Sequence, residues 1–358
     1  MEKISDRREN LMIRAGIMGA AGYAGIGLVQ LLHGHPQAEL AWVASEQAHA
    51  GKKLSELRPF LNGLCDLICE PPEISGLIDK VDVIFMALPN GLAMKYAPAA
   101  LEKGKKVIDI SADFRIKDLE EYKKWYKIDH ASPELVKEAV YALPELYLEQ
   151  IKKARLIANP GCYPTASILG SYPLLKFGLV DKDSLVFDAK SGVSGAGAAL
   201  TEITHFPECN ENFRAYAVAG HRHNPEIDQE LSKACGKTVL TSFVPHLVPM
   251  NRGILVTIYG KLLAKKSVDE IHALYRDFYK GAPFVRVLDK GKLPATKYVS
   301  SSNFCDINIV VDERAGRVIV LSAIDNLVKG AAGQALQNMN IMFGLDQKAG
   351  LDRPPIYP

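Results

Sequence analysis

No run of about 18 or more consecutive apolar residues occurs in this chain, which excludes a membrane-spanning helix. Charge of one sign is also missing. There are 43 basic and 41 acidic residues, for a formal net charge of +2. That balance argues against nucleic acid or an anionic membrane surface as partner, so any basic groups that matter act locally. Cysteine is sparse: Cys65, Cys69, Cys162, Cys209, Cys235 and Cys305 are scattered, unlike the dense framework of a small secreted domain. Cys65 and Cys69 have no nearby His or Cys pair to complete four ligands, so no metal site is expected. Residues 1–10 are charged and polar, with no signal-peptide apolar core, and read as a short mobile tail. Internal repeats and low-complexity segments are absent. These absences leave a reduced, cytoplasmic, globular protein.

What is present suffices for two domains. The chain has 358 residues and is 48% hydrophobic. Strand and helix alternate through its first third: strands over 13–16, 40–44, 81–88 and 106–110, helices over 23–32 and 92–103. The 81–88 run is almost wholly apolar, as in a strand buried on both faces. This alternation predicts a doubly wound parallel sheet of the Rossmann type. After Cys162 the pattern becomes β-rich, at 185–190, 239–244, 255–259, 307–311 and 318–321, with one clear helix over 268–279. A mostly antiparallel sheet, covered by helices on one face, is expected there, giving an α+β second domain. A final helix over 326–343, rich in Gly and Ala, is expected to pack back on the first domain. The division is therefore 11–161 plus 326–358 for the first domain and 162–325 for the second.

The glycines Gly19, Gly22 and Gly25 fall between the first strand and the first helix. Glycine there permits a tight turn and close backbone approach, and the helix N-terminus then accepts a pyrophosphate. Ala21 and Tyr23 belong to the same dinucleotide loop. The second strand ends Ala44-Ser45-Glu46, with Lys52 and Lys53 close behind. Ser45 and a lysine suit a 2′-phosphate, whereas Glu46 turned inward would suit NAD. The balance favours NADP.

The most informative stretch is Asn159-Pro160-Gly161-Cys162-Tyr163-Pro164. An apolar strand-like run ends in a Pro-Gly turn, and a helix over 164–175 follows the cysteine. Proline in a first helical turn marks a start. Cys162 then sits where free helix N–H groups converge, which favours a nucleophilic thiolate. A candidate base lies in Gly220-His221-Arg222-His223-Asn224-Pro225, just after an apolar run over 216–219 read as a strand. At a strand end His221 and His223 would point the same way. His205 and His246 are weaker candidates. The loop Ser191-Gly192-Val193-Ser194-Gly195-Ala196-Gly197 has main-chain N–H groups suited to a nicotinamide or an oxyanion. Arg115 follows the 106–110 strand, at a ligand-binding strand end, and Arg252 lies in a Met-Asn-Arg-Gly turn. Both suit phosphate or carboxylate. Together these features imply hydride transfer at the acyl level through a thioester.

In these motifs the chain resembles the N-acetyl-γ-glutamyl-phosphate reductase family. The resemblance runs over about 13–346. Its motifs include the Gly19 loop, Asp109-Ile110-Ser111-Ala112-Asp113-Phe114-Arg115, the Asn159 to Thr165 turn, Lys190 to Gly197, His221 to Ile227 and Asp325-Asn326-Leu327-Val328-Lys329-Gly330. It implies an NADPH-dependent enzyme of arginine biosynthesis, related in fold to aspartate-semialdehyde and glyceraldehyde-phosphate dehydrogenases. It implies Cys162 as nucleophile and His221 as acid–base residue, with Arg115, Arg252, Asn159 and His223 toward the substrate. It implies that the Gly19 loop, the Ser191 loop and Asn326 contact NADP(H), and that the protein is a homodimer or tetramer. The expected substrates are an acyl phosphate or semialdehyde and inorganic phosphate. Two positions depart from the family pattern: Ala198 in place of an arginine and Asn90 in place of a histidine. A carrier-bound aminoadipyl-phosphate reductase of lysine biosynthesis, and a non-enzymatic NADP-binding redox sensor switched by Cys162, are the competing readings.

Overall fold

The computed structural model describes residues 12–357, so the expected polar tail lies outside the described residues. The first sheet holds β1 (Ile13–Met18), β2 (Ala38–Ala44), β3 (Cys69–Glu70), β4 (Val83–Met86), β5 (Lys106–Asp109), β6 (Val140–Tyr141) and β7 (Leu156–Ala158). Their order is β3-β2-β1-β4-β5-β7-β6, and every pairing is parallel. All four residues of β4 are buried, as its unbroken apolar sequence requires in a sheet covered on both faces. The order reverses between β1 and β4. That reversal opens a crevice at the carboxyl ends of the strands, where doubly wound sheets bind ligands.

The second sheet holds β8 (Val186–Gly192), β9 (Arg214–Ala215), β10 (Ser242–Val248), β11 (Ile254–Lys261), β12 (Val285–Val287), β13 (Cys305–Asp312) and β14 (Arg317–Ile324). Their order is β12-β13-β14-β11-β8-β10-β9. Pairings are antiparallel except β10 with β8 and β12 with β13. Alternate residues of β11 are buried, and that face packs on the helix Cys162–Lys176 through Ile168, Leu169, Val256 and Ile258.

Three local expectations are corrected. The tenth strand begins at Ser242, not 239. Residues 239–241 are held by side chains instead: Val239 N–H donates to Ser232 Oγ and Thr241 N–H to Asp228 Oδ1. The run 216–219 is not a strand. Ala217 and Ala219 take positive φ of 43° and 54°, and Gly220 N–H closes a turn on the Ala217 carbonyl. The final helix is α-helical only over Gly333–Met342. Before it, Val328–Ala332 forms a π-turn, with Gly330 N–H bonded to the Asp325 carbonyl and Ala332 N–H to the Leu327 carbonyl. The helix then buries Leu336, Met339 and Met342 in the core beside β1 and the helix Tyr23–Leu32, so the chain end does return to the first sheet.

Candidate active site

A cleft of about 1140 Å³ runs along the carboxyl ends of the parallel strands. Its walls come from the ends of β1, β2, β4, β5 and β7, from the loop after β8, and from the turn before the helix Asn224–Cys235.

The glycine loop forms one end. Gly19 has φ +80°, and a Cβ there would lie 2.1 Å from the Ala87 carbonyl oxygen. A Cβ on Gly25 would lie 2.3 Å from the Gly19 carbonyl oxygen, so this glycine lets helix and loop touch. Gly22 caps the helix Tyr23–Leu32, and a Cβ there would meet nothing closer than 3.5 Å. Gly19, Ala21, Gly22 and Tyr23 line the cleft, whereas Gly25 is buried behind them. The first-turn N–H groups of that helix have no intrahelical partner, so this cradle fits a pyrophosphate.

At the end of β2, Ser45 Oγ lies 2.9 Å from His49 Nδ1, and His49 Nε2 lies 3.2 Å from Glu46 Oε1. Glu46 is 71% exposed. Lys52 and Lys53 do not line the cleft. The cation there is Arg58, which donates to the Ala21 carbonyl at 2.7 Å and the Leu57 carbonyl at 2.9 Å. Nothing in the spacing after β2 marked Arg58. It is the C-cap of the short helix Leu54–Leu57, and its bond to the Ala21 carbonyl brings it to the glycine loop.

Cys162 is the first residue of its helix, and Gly161 is the N-cap. The Gly161 N–H donates to buried Glu226 Oε1 at 2.8 Å. Behind the cysteine stands Gly330 of the π-turn, where a Cβ would lie 2.7 Å from Cys162 Cβ. Burial pushes the Cys162 thiol up to about 11, and the Tyr163 N–H and the Arg115 charge offset this only in part. Desolvation is the largest of these influences and favours the thiol over the expected thiolate in the ligand-free cleft.

His221 and His223 both line the cleft, on a turn rather than a strand end. The His223 N–H donates to His221 Nδ1 at 3.1 Å. His221 Nε2 lies 3.4 Å from Tyr216 Oη, which donates to Tyr163 Oη at 3.3 Å, which donates to the His246 carbonyl at 3.2 Å. Burial, aided by the Arg222 charge, pulls His221 down to about 4. Burial also holds His223 well below its ordinary value, and its Nδ1 has no partner among the described residues.

The other expected residues divide. Arg115 lines the cleft but is buried, donating to the Asn159 carbonyl at 2.7 Å and the Ile110 carbonyl at 2.6 Å, with Glu226 Oε2 at 3.4 Å. Asn159 is fully buried, donating to the Ala331 carbonyl and accepting from Asn338, and does not line the cleft. Arg252 is also outside it, 3.5 Å from Asp325 Oδ2. Ser191 and Gly192 are buried below the loop: Ser191 Oγ donates to the Gly192 carbonyl, and a Cβ on Gly192 would strike Asn251. Gly195 and Asn326 do line the cleft. Asn326 accepts from Gly253 N–H at 2.7 Å and donates to Ser194 Oγ at 3.0 Å, holding the loop shut on the chain's last crossing. Ala198 and Asn90 line it too, and Asn90 Oδ1 accepts from Ala112 N–H. His205 and His246 do not. No cluster of metal-ligating side chains occurs among the described residues.

Comparison with known proteins places this architecture. The family model described as semialdehyde dehydrogenase, NAD binding domain, matches residues 14–154. The one described as semialdehyde dehydrogenase, dimerisation domain, matches 162–326, beginning at the cysteine itself. An aspartate semialdehyde dehydrogenase of Vibrio cholerae superposes with a TM-score of 0.70 at 17% identity, over 93% of this chain and 98% of that one. One from Candida albicans, solved with NADP, gives 0.68 at 18% identity, over 95% and 99%. Fold and site thus define a semialdehyde dehydrogenase-type oxidoreductase. Curated N-acetyl-gamma-glutamyl-phosphate reductases of Pelotomaculum thermopropionicum and Desulforamulus reducens are 51% and 54% identical to it, each over 97% of this chain and all of the relative. The chain belongs to the N-acetyl-γ-glutamyl-phosphate reductase family.

Proposed function

We propose that this protein reduces N-acetyl-γ-glutamyl phosphate to N-acetylglutamate semialdehyde and phosphate with NADPH, as a step of arginine biosynthesis. The observation that carries the reading is the shared cleft: Cys162 at a helix start, His221 packed on the neighbouring Tyr163, and the glycine cradle all line it.

The Cys162 sulfur attacks the acyl carbon, the bond from that carbon to the phosphate oxygen breaks, and the thiol proton leaves with hydrogen phosphate. When bound, the reduced nicotinamide supplies the hydride for the resulting thioester. His221 offers its Nε2–H to the acyl oxygen as negative charge gathers there, as a neutral imidazole does in other enzymes. First-turn N–H groups of the Cys162 helix add to the same stabilisation. A proton drawn from solvent and passed through His221 Nε2 to that oxygen gives a thiohemiacetal; on its collapse the carbon–sulfur bond breaks, the hydroxyl proton goes to sulfur and the aldehyde is released.

Gly19, Ala21, Gly22 and Tyr23 would hold the pyrophosphate, and Gly195 and Asn326 the nicotinamide end. Ser45, His49 and Arg58 supply donors and charge suited to a 2′-phosphate, which favours NADP over NAD. The match of 162–326 to a dimerisation domain supports a homo-oligomer, and a dimer or tetramer is the proposed state.

The test is phosphate-dependent reduction of NADP+ by N-acetylglutamate semialdehyde. The wild type should show it and Cys162→Ser should not. A folded wild type that binds NADP+ yet gives no turnover would overturn the reading.

A further inference from the structure

Among the described residues, three guanidinium groups line the cleft, at Arg58, Arg115 and Arg222. They differ in what already holds them. Arg58 sits at the glycine loop, tied to the carbonyls of Ala21 and Leu57. Arg115 is buried, with two carbonyls on its Nε and Nη2 and its charge balanced by the buried carboxylate of Glu226. Those contacts tie together the ends of β5 and β7 and the helix Asn224–Cys235, so Arg115 is built into the scaffold.

Arg222 is different. It lies between His221 and His223 on the turn that carries both imidazoles, and its side chain is exposed. No carboxylate pairs with it among the described residues. Its main chain is well anchored: Tyr126 Oη donates to the Arg222 carbonyl at 3.1 Å, and the neighbouring His223 N–H is tied to His221. Its guanidinium carbon stands 5.7 Å from the centre of the Tyr126 ring, so the stem lies along an aromatic surface. The result is a fixed backbone carrying an unpaired, planar cation on the cleft wall, close enough for its charge to act on both His221 and His223. Glu46, the only acidic residue of the cleft wall among the described residues, lies at the end of β2 beside His49.

We infer that Arg222 binds an oxyanion of the substrate, and that Arg115 is a positioning residue for the Cys162 helix. The inference rests on the proposed function in one respect: that substrate carries a carboxylate and an acyl phosphate. Both are oxyanions that a guanidinium can bind through two parallel hydrogen bonds.

The reverse reaction separates the two sources, because the semialdehyde brings the carboxylate and inorganic phosphate brings the other anion. In steady-state assays, Arg222→Met keeps the stem on Tyr126 and removes the charge. It should raise the KM for one of these two substrates by roughly ten- to a hundredfold, the size of a charged hydrogen bond lost. Arg222→Lys should recover part of that loss, and the KM for NADP+ should stay unchanged. A rise for semialdehyde assigns the carboxylate, and a rise for phosphate assigns the phosphoryl group. Arg222→Met with both constants within about twofold of wild type would overturn the inference, since a single charge-assisted contact is worth more than that. A wild type without this activity would count against the proposed function instead. Protection of Cys162 from iodoacetamide by N-acetylglutamate or inorganic phosphate then reads the same contact. Protection of the wild type and not of Arg222→Met supports it, and equal protection, or none in either, overturns it.

Discussion

The main-chain N–H of His223 donates to Nδ1 of His221 at 3.1 Å. That bond sets which imidazole nitrogen carries the proton. Nδ1 accepts, so neutral His221 bears hydrogen on Nε2, and Tyr216 Oη, whose own proton goes to Tyr163, receives it. Burial keeps the ring neutral down to about 4. In the resting cleft the Nε2–H of His221 therefore points to Tyr216 Oη, and it is this hydrogen that the proposed reaction would offer to the acyl oxygen.

This predicts an order among variants. The amide of Gln reaches the Nε2 position, and that of Asn reaches only Nδ1. His221→Asn should lose roughly 10²–10⁴ in kcat. His221→Gln should retain about ten times more than His221→Asn, the worth of one good hydrogen bond. Nitrogen NMR of the wild type should show Nε2 as the protonated site. Equal loss in the two variants, with Nδ1 protonated, would refute the assignment.

A resting thiol also makes a pH prediction. Cys162 is pushed up to about 11 and His221 down to about 4, so both are neutral between those values. Thiolate is the reactive form, and its share grows with pH all the way to the folded value. Alkylation of Cys162 by iodoacetamide in the ligand-free protein should therefore keep rising beyond about pH 9. A plateau reached near neutral pH would instead show a thiolate–imidazolium pair.

Arg58 predicts cofactor choice. Arg58→Met should lower kcat/KM for NADPH by roughly ten- to a hundredfold, the loss of one charged contact, and leave NADH nearly unchanged. An equal fall for both cofactors would mean that Arg58 serves the glycine loop through its bond to Ala21 and not the 2′-phosphate.

Lys329 and Glu145 form an ion pair at 2.7 Å with side chains 0% and 1% exposed, and Lys329 also donates to Gln337 at 2.9 Å. The pair joins the π-turn behind Cys162 to the helix Pro144–Lys153. Lys329→Met leaves a buried carboxylate alone and should cost about 3–5 kcal/mol in denaturant unfolding. Adding Glu145→Leu should restore much of that loss, because the stranded charge is then gone. A single variant within about 1 kcal/mol of wild type would show that the carboxylate finds water or a proton instead.

Local chemistry made much of this site legible. The helix Tyr23–Leu32 and the start at Cys162 follow from glycine, proline and apolar spacing within a few residues of each. The elements that were misplaced depend on partners far along the chain. Residues 239–241 read as strand because they are apolar and β-branched in pattern, yet side chains of the helix Asn224–Cys235 capture their N–H groups. The π-turn at Val328–Ala332 reads as ordinary helix until Cys162 stands against Gly330. Asn159 and Ser191 lie in motifs next to the cleft but turn into the scaffold, and Arg252 pairs with Asp325 outside it, while Arg58 reaches the cleft from a segment with no motif. Sequence shows which segments meet at the strand ends; it does not show which of their side chains face the opening.

The central claim is that Cys162 carries the acyl group between phosphate and hydride. The most direct measurement is peptide mass mapping of protein mixed with N-acetyl-γ-glutamyl phosphate in the absence of cofactor and quenched in acid. The account predicts an N-acetylglutamyl group on the peptide containing Cys162, removed by hydroxylamine, which cleaves thioesters, and absent in Cys162→Ser. An enzyme that turns over yet carries no acyl group on Cys162, or carries it on another residue, would contradict the account.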